Sequence, residues 1–176
     1  EIYTISPIII PGARNKFNIF LNKILFNFQL NNAMRFLNFK KQVIWSYNPL
    51  TSIYIDLDKF KTKIYHAVDS IEYQPNMPKK LIIENEKILA SKVDKVFVTS
   101  KTLLTKLTGY NSNISYYGNV CDFEHFSKSR KIKHQNIPIE LKKIKKPIVG
   151  FIGSLSEYKL DFDLIIKVSK KLKNIS

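Results

Sequence analysis

A single cysteine, Cys121, occurs in the 176 residues, which excludes an intramolecular disulfide framework and points to a reducing compartment. Glycine is scarce too, with five residues, and none of the glycine-rich signatures is present. There is no Walker-type phosphate loop, no Gly-x-Gly-x-x-Gly fingerprint and no Gly-x-Ser-x-Gly elbow. The three histidines, His66, His125 and His134, are too scattered to form a ligand set with one cysteine, so no metal is expected. Arginine is limited to Arg14, Arg35 and Arg130. Base and phosphate readout favours the arginine fork, so no specific nucleic-acid partner is expected. No long uncharged apolar run occurs, nor a signal peptide, and the first residue is Glu1. The sequence therefore reads as a cytoplasmic polypeptide, and as an interior portion of a longer one.

What is present is basic charge on a globular composition. Hydrophobic residues make up 44% and charged residues 24%, which suits a folded domain rather than a disordered chain. The net charge is +15 and most of it sits in two stretches, Arg14 to Lys41 and Lys128 to Lys146. Such blocks attract polyanions and anionic lipid. A codon bias toward Lys, Asn and Ile explains the same composition without selection for a partner.

The chain is organised around Lys63 to Ser70. Ile64, Ala67 and Val68 read as buried strand residues, and His66, Asp69 and Ser70 gather at or beyond its carboxyl end. Val43 to Tyr47 runs likewise into Asn48-Pro49, and Lys95 to Val98 into Thr99-Ser100. Helix-like segments follow, at Leu50 to Phe60, at Leu81 through Val93 with Ile82, Ile88 and Leu89 on one stripe, and after a Thr99 or Ser100 cap. Ile114 to Tyr117 is a further short strand. Alternation of this kind predicts an α/β fold, a Rossmann-like parallel sheet flanked by helices on both faces. The ligand crevice then lies at the carboxyl ends of the strands.

Outside that core, Ile5 to Ile10 reads as a strand closed by Pro11-Gly12. Phe17 to Phe39 reads as a core-packing helix or helix pair, with Phe17, Phe20, Leu21, Ile24, Leu25 and Phe28 on one side. An apolar stripe with only positive charges also has the composition of an interfacial helix. Lys128 to Lys146 reads as a linker. Pro147 to Ser154 reads as a new buried strand ending in glycine, followed by a helix capped by Asp161.

Three sites keep open alternatives on residue chemistry alone. His66 is a packed or hydrogen-bonded core histidine or a catalytic one. Asp69 either caps a turn or serves as a general base at the edge of a crevice. Gly153-Ser154 makes a tight turn or lets backbone amides approach a phosphate at a helix amino end.

In the order and spacing of Ser6 to Gly12, Val43 to Pro49, Tyr65 to Asp69, Val96 to Ser100, Asn119 to Phe126 and Pro147 to Leu155, the chain resembles a GT-B fold glycosyltransferase. It is most similar to family 4-like enzymes of the teichuronic acid biosynthesis type. The resemblance implies an acceptor-side Rossmann-like domain over 1–126, a basic linker over 127–146 and the start of a donor-binding domain over 147–176. It implies Asp69, with His66, at the catalytic position, and Gly153 and Ser154 beside the donor diphosphate. Tyr47, Asn48, Ser100 and Asn119 would line the cleft. The expected reaction moves a sugar from a nucleoside diphosphate sugar to a glycan or lipid-linked acceptor. No cofactor or metal is implied, and the setting is the cytoplasmic face of an anionic membrane. Ser70 stands where the family often has a second acidic residue, and Val120 and Cys121 where Gly and Val are usual. The acidic pair that grips the donor has no counterpart in these residues. The alternative is a non-catalytic basic module that docks on anionic membrane or polyanion.

Overall fold

The computed structural model describes residues 1–12, 15–40 and 42–172. Arg14 and Lys41, which bound the first basic stretch, and the last four residues of the expected second domain lie outside them. The chain divides into two compact units, Glu1–Asn119 and Val120–Ser176.

The first unit is α/β, with four parallel strands, β1 Val43–Ser46, β2 Thr62–Ala67, β3 Lys95–Val98 and β4 Ile114–Tyr116, in the order β1-β2-β3-β4. The sheet is Rossmann-like and flanked by helices. Helix α1 spans Lys16–Phe36, α2 Thr51–Tyr54, α3 Lys79–Lys92 and α4 Lys101–Leu107. The expected helix over 50–60 is instead α2 and a separate 3-10 turn, Leu57–Lys59, because the backbone is extended at Ile55 and Asp56.

Side-chain alternation divides the sheet into two unlike faces. Tyr65 and Ala67 of β2 and Val96 and Val98 of β3 point to one face and pack with Leu89 and Ala90 of α3, with Val93 just past its end, and with Leu103 and Leu107 of α4. Burying an aliphatic side chain of this kind contributes roughly 1.5–3 kcal/mol. The opposite face carries Trp45, Ile64, His66, Lys95 and Phe97, by the strand register. Trp45 there is exposed, so the expectation of helices on both faces is not met. The reason is topological. An unbroken strand order steps in one direction throughout, and right-handed crossovers then drop every connecting helix on the same side.

Two further expectations fail at the amino end. Ile5 to Ile10 is not a strand; it lies along α1, gripped by side-chain amides. Asn22 accepts from Ile10 N at 2.7 Å and donates to Ile10 O at 2.9 Å. Gln29, two turns on, accepts from Ile8 N at 2.8 Å and donates to Ile8 O at 2.9 Å. These carboxamides take the place of a neighbouring strand's backbone. Nor does the Phe17 stripe pack in a core: the buried residue of α1 is Asn22, while Phe17, Phe20, Ile24 and Phe28 are exposed. Asn15 caps the helix, accepting from Phe17 N, and Asn38, in the left-handed region at φ 54, ends it. Gly12 turns the chain into α1 at φ +92, where a side chain would be strained.

In the second unit, α5 Phe123–Ser127 and α6 Ile139–Lys142 flank 3-10 turns, and α7 Phe162–Lys171 follows. Asp161 caps α7 by accepting from Leu164 N at 2.9 Å, as the sequence predicts. Pro147 to Ser154 is not a strand, and Val149, Phe151 and Ile152 are exposed. A parallel strand needs neighbours to pair its backbone, and none forms among the described residues of this unit.

Candidate functional site

The carboxyl edge of the sheet brings the strand ends into one row. Each is finished by hydrogen bonds that reveal which polar groups are already committed. At the end of β1 the Ser46 hydroxyl donates to the Thr51 hydroxyl, with Asn48 O a further 3.1 Å neighbour of Ser46 Oγ. Asn48 Oδ1 accepts from Leu50 N at 2.9 Å, and Thr51 donates to Asn48 O at 2.7 Å. Asn48 is thus part of the turn into α2. Past β3, the Thr99 hydroxyl donates to Val68 O at 2.7 Å and locks the ends of β2 and β3 together. Ser100 Oγ accepts from Leu103 N at 3.2 Å as the cap of α4. Tyr117 N donates to Val98 O at 2.9 Å, which carries β4 on toward Gly118 and Asn119.

Asp69 differs from these. The turn after β2 is closed by its backbone, with Ile71 N donating to Asp69 O at 3.0 Å. Its carboxylate is exposed and has no partner among the described residues. The capping use of Asp69, one of its two readings, is therefore not the one adopted.

His66 belongs to the uncovered face. Its ring lies 5.0 Å from that of Tyr47 and 6.1 Å from both Trp45 and Phe97. Trp45 and Phe97 stack at 5.6 Å, and Tyr117 continues the row 5.8 Å from Phe97. His66 Nδ1 is buried there without a hydrogen-bond partner. Tyr47 and His66 are thus in contact, whereas Asn48, Asp69 and Ser100 share the carboxyl edge and Asn119 lies exposed beyond the end of β4.

Gly153 and Ser154 lie in the second unit and are exposed. The expected strand–turn–helix around them is absent. Gly153 is flanked by the ring of Phe151, which a β-carbon would meet at 2.8 Å. Ser154 Oγ reaches Ser156 Oγ at 3.5 Å.

The sequence reading missed a buried polar cluster on the helix-covered face. Tyr65 of β2 donates its hydroxyl to Glu86 Oε1 at 2.7 Å. Lys106 of α4 pairs with Glu72 Oε1 and with Glu86 Oε2, each at 2.5 Å. The contact to Glu86 is an ion pair without hydrogen-bond alignment, and Glu72 Oε2 is buried with no hydrogen-bond partner. Burial, then the charge and hydrogen bond of Glu86, push the Tyr65 hydroxyl far above its ordinary range. Burial pulls Lys106 down, but the hydrogen bond to Glu72 and the charges of Glu86 and Glu72 outweigh it and hold the ammonium above its ordinary value. Tyr65 thus stays protonated and Lys106 stays charged. One signal for this cluster was legible: Glu86 falls at core spacing with Ile82 and Leu89, all three buried. Ile88, assigned to that stripe, is exposed.

No protein-family model matches the chain, and no curated protein does. Among the described residues no group of three His, Cys, Asp or Glu is disposed to hold a metal, and no helix is long and apolar enough to cross a membrane.

Proposed function

We propose that the chain is the acceptor-side part of a glycosyltransferase of the GT-B type. It would move a sugar from a nucleoside diphosphate sugar to a cell-surface glycan or lipid-linked acceptor, with Asp69 as general base. One observation carries the reading: an exposed, unpartnered carboxylate stands at the carboxyl edge of an all-parallel sheet, where α/β folds bind ligands. The attacking hydroxyl must lose its proton as it reaches the anomeric carbon. A carboxylate free of other bonds is available to take it.

The resemblance in motif order supplies the substrate class. The 176 residues alone are expected to give no turnover, since no acidic pair for the donor was matched in them. The test joins this sequence to a complete donor domain and compares Asp69 with Asp69→Asn. Asn keeps size and hydrogen bonding but cannot accept the proton. Turnover should fall by about 10²–10⁴-fold with donor affinity nearly unchanged. Turnover within a few-fold of the parent would remove Asp69 from the chemistry.

A second reading has its own support, the exposed stripe Phe17, Phe20, Ile24 and Phe28 on α1. Lys16, Lys23 and Arg35 share the helix, which has no acidic residue. This is the make-up of a helix lying in a membrane interface, and it supports docking on anionic lipid. Sedimentation with phosphatidylserine vesicles, lost in phosphatidylcholine vesicles and in Phe20→Glu, would support it. Asp69→Asn leaves that binding intact, so the two readings are separable.

A further inference from the structure

Asp69 sits between two tethers, and both lead to the same helix. On its amino-terminal side the Thr99 hydroxyl donates to Val68 O at 2.7 Å, and Thr99 N donates to Ala67 O at 3.3 Å. Thr99 stands just ahead of Lys101, the first residue of α4. On the carboxyl-terminal side Glu72, with a side chain 4% exposed, accepts from Lys106 in the last turn of α4. Glu86 of α3 pairs with the same ammonium, which steadies the anchor itself. Between Val68 and Glu72 lie only Asp69, Ser70 and Ile71. This stretch has little of its own to hold it. Its internal bonds belong to an open 3-10 turn, with Ile71 N donating to Asp69 O at 3.0 Å and Tyr73 N to Ser70 O at 3.1 Å. Asp69 is exposed, and Ser70 and Ile71 are half-buried. Segments with few buried contacts and exposed backbone bonds open easily on their own. A short segment pinned at both ends cannot wander, since each residue spans at most about 3.3–3.6 Å.

We propose that α4 sets the place of the Asp69 carboxylate, with Thr99 and Lys106 as positioning residues ahead of the helix and in its last turn. The bracket stands on geometry; its meaning for catalysis rests on the reading of Asp69 as general base. A base must meet the hydroxyl it deprotonates within hydrogen-bond reach, and a misplacement of about 1 Å can cost about 10²-fold in rate. Asp69 makes no side-chain bond that would steer it, so its backbone has to be placed from outside. The two tethers differ in kind. The Thr99 bond is neutral and directional, whereas the Glu72 contact is an ion pair largely shielded from water, and salt screens such pairs little. The helix α3 meets the far end of the turn, where the Lys79 ammonium lies 4.6 Å from the Tyr73 ring centroid.

The test is backbone amide relaxation on the full 176-residue chain, comparing the parent with Thr99→Val, Glu72→Ala and the double variant. Valine keeps the shape of threonine without its hydroxyl, and Glu86 still answers Lys106 when Glu72 is gone. Order parameters at Asp69 and Ser70 should lie near about 0.85 in the parent and fall below about 0.6 in the double variant. Each single change should lower them part of the way, Thr99→Ser should restore them, and Val96 and Val98 should stay rigid. Asn111→Ala removes bonds to Ala90 O and Val93 O at the opposite edge of the sheet, and should leave Asp69 rigid. The proposal is overturned by a rigid Asp69 and Ser70 in the double variant, by mobility in the parent, or by equal loosening in Asn111→Ala. If the double variant does not fold, Thr99→Val and its Thr99→Ser rescue decide. None of these readings involves sugar transfer, so the turnover test of Asp69→Asn can fail while the bracket stands, and the reverse.

Discussion

The Tyr65 hydroxyl, wholly buried in the sheet, donates to Glu86 Oε1 on α3 at 2.7 Å. The bond fastens strand β2 to its covering helix. Through Lys106 the same carboxylate reaches α4 and the turn before α3. Tyr65→Phe keeps the ring but strands a buried carboxylate oxygen. It should cost about 1–3 kcal/mol in urea unfolding.

The same pair sets the response to alkali. Tyr65 is held above its ordinary value near 10, so its contribution is fully present below that pH. Above it the unfolded chain releases the proton and the native one keeps it, and stability falls by about 1.4 kcal/mol per pH unit. Lys106, also raised, acts in the same direction. The difference in stability between parent and Tyr65→Phe should therefore shrink as pH rises past about 10. A difference that is constant with pH would contradict the linkage.

Removing Lys106 should be the most damaging single change in the cluster. Lys106→Met leaves Glu72 and Glu86 buried without their cation, a loss of about 3–5 kcal/mol. Lys101→Met, an exposed change on the same helix, should stay within about 0.5 kcal/mol. Denaturant midpoints compare the two directly.

At the carboxyl edge, stability separates the committed groups from the free one. Ser100→Ala removes the cap of α4 and should cost about 1 kcal/mol. Asp69→Asn, with no bond to lose, should change stability by under about 0.5 kcal/mol. Equal losses in thermal melts would return Asp69 to a structural role.

The amide grip on the amino-terminal segment is testable by hydrogen exchange. The Asn22→Leu, Gln29→Leu double variant should lose protection at Ile8 and Ile10, while Val96 and Val98 in the sheet exchange as before. Unchanged protection at Ile8 and Ile10 would mean that packing, not the carboxamides, holds the segment.

Local signals determined the parts of this fold that depend on neighbours in sequence. Lys95 to Val98 alternates and is bounded by Asp94 and Thr99, so β3 is legible to the residue. Ser100 and Asp161 announce their helices because a side-chain oxygen reaching back to the first amides needs only three residues of context. The carboxyl-edge row of Asn48, Asp69 and Ser100 followed from the parallel alternation alone. What tertiary structure decided is pairing. Ile5 to Ile10 and Pro147 to Ser154 are apolar runs as strand-like as β3, yet one lies against α1 and the other stays unpaired. An apolar run fixes only a wish to leave water, and the strand, helix or amide that satisfies its backbone is remote in sequence. The bare aromatic face arose in the same way, from the order in which strands joined rather than from any residue on it. Glu72, Glu86, Lys106 and Tyr65 each have ordinary polar side chains in the sequence. Only their convergence in the interior made them a charged cluster.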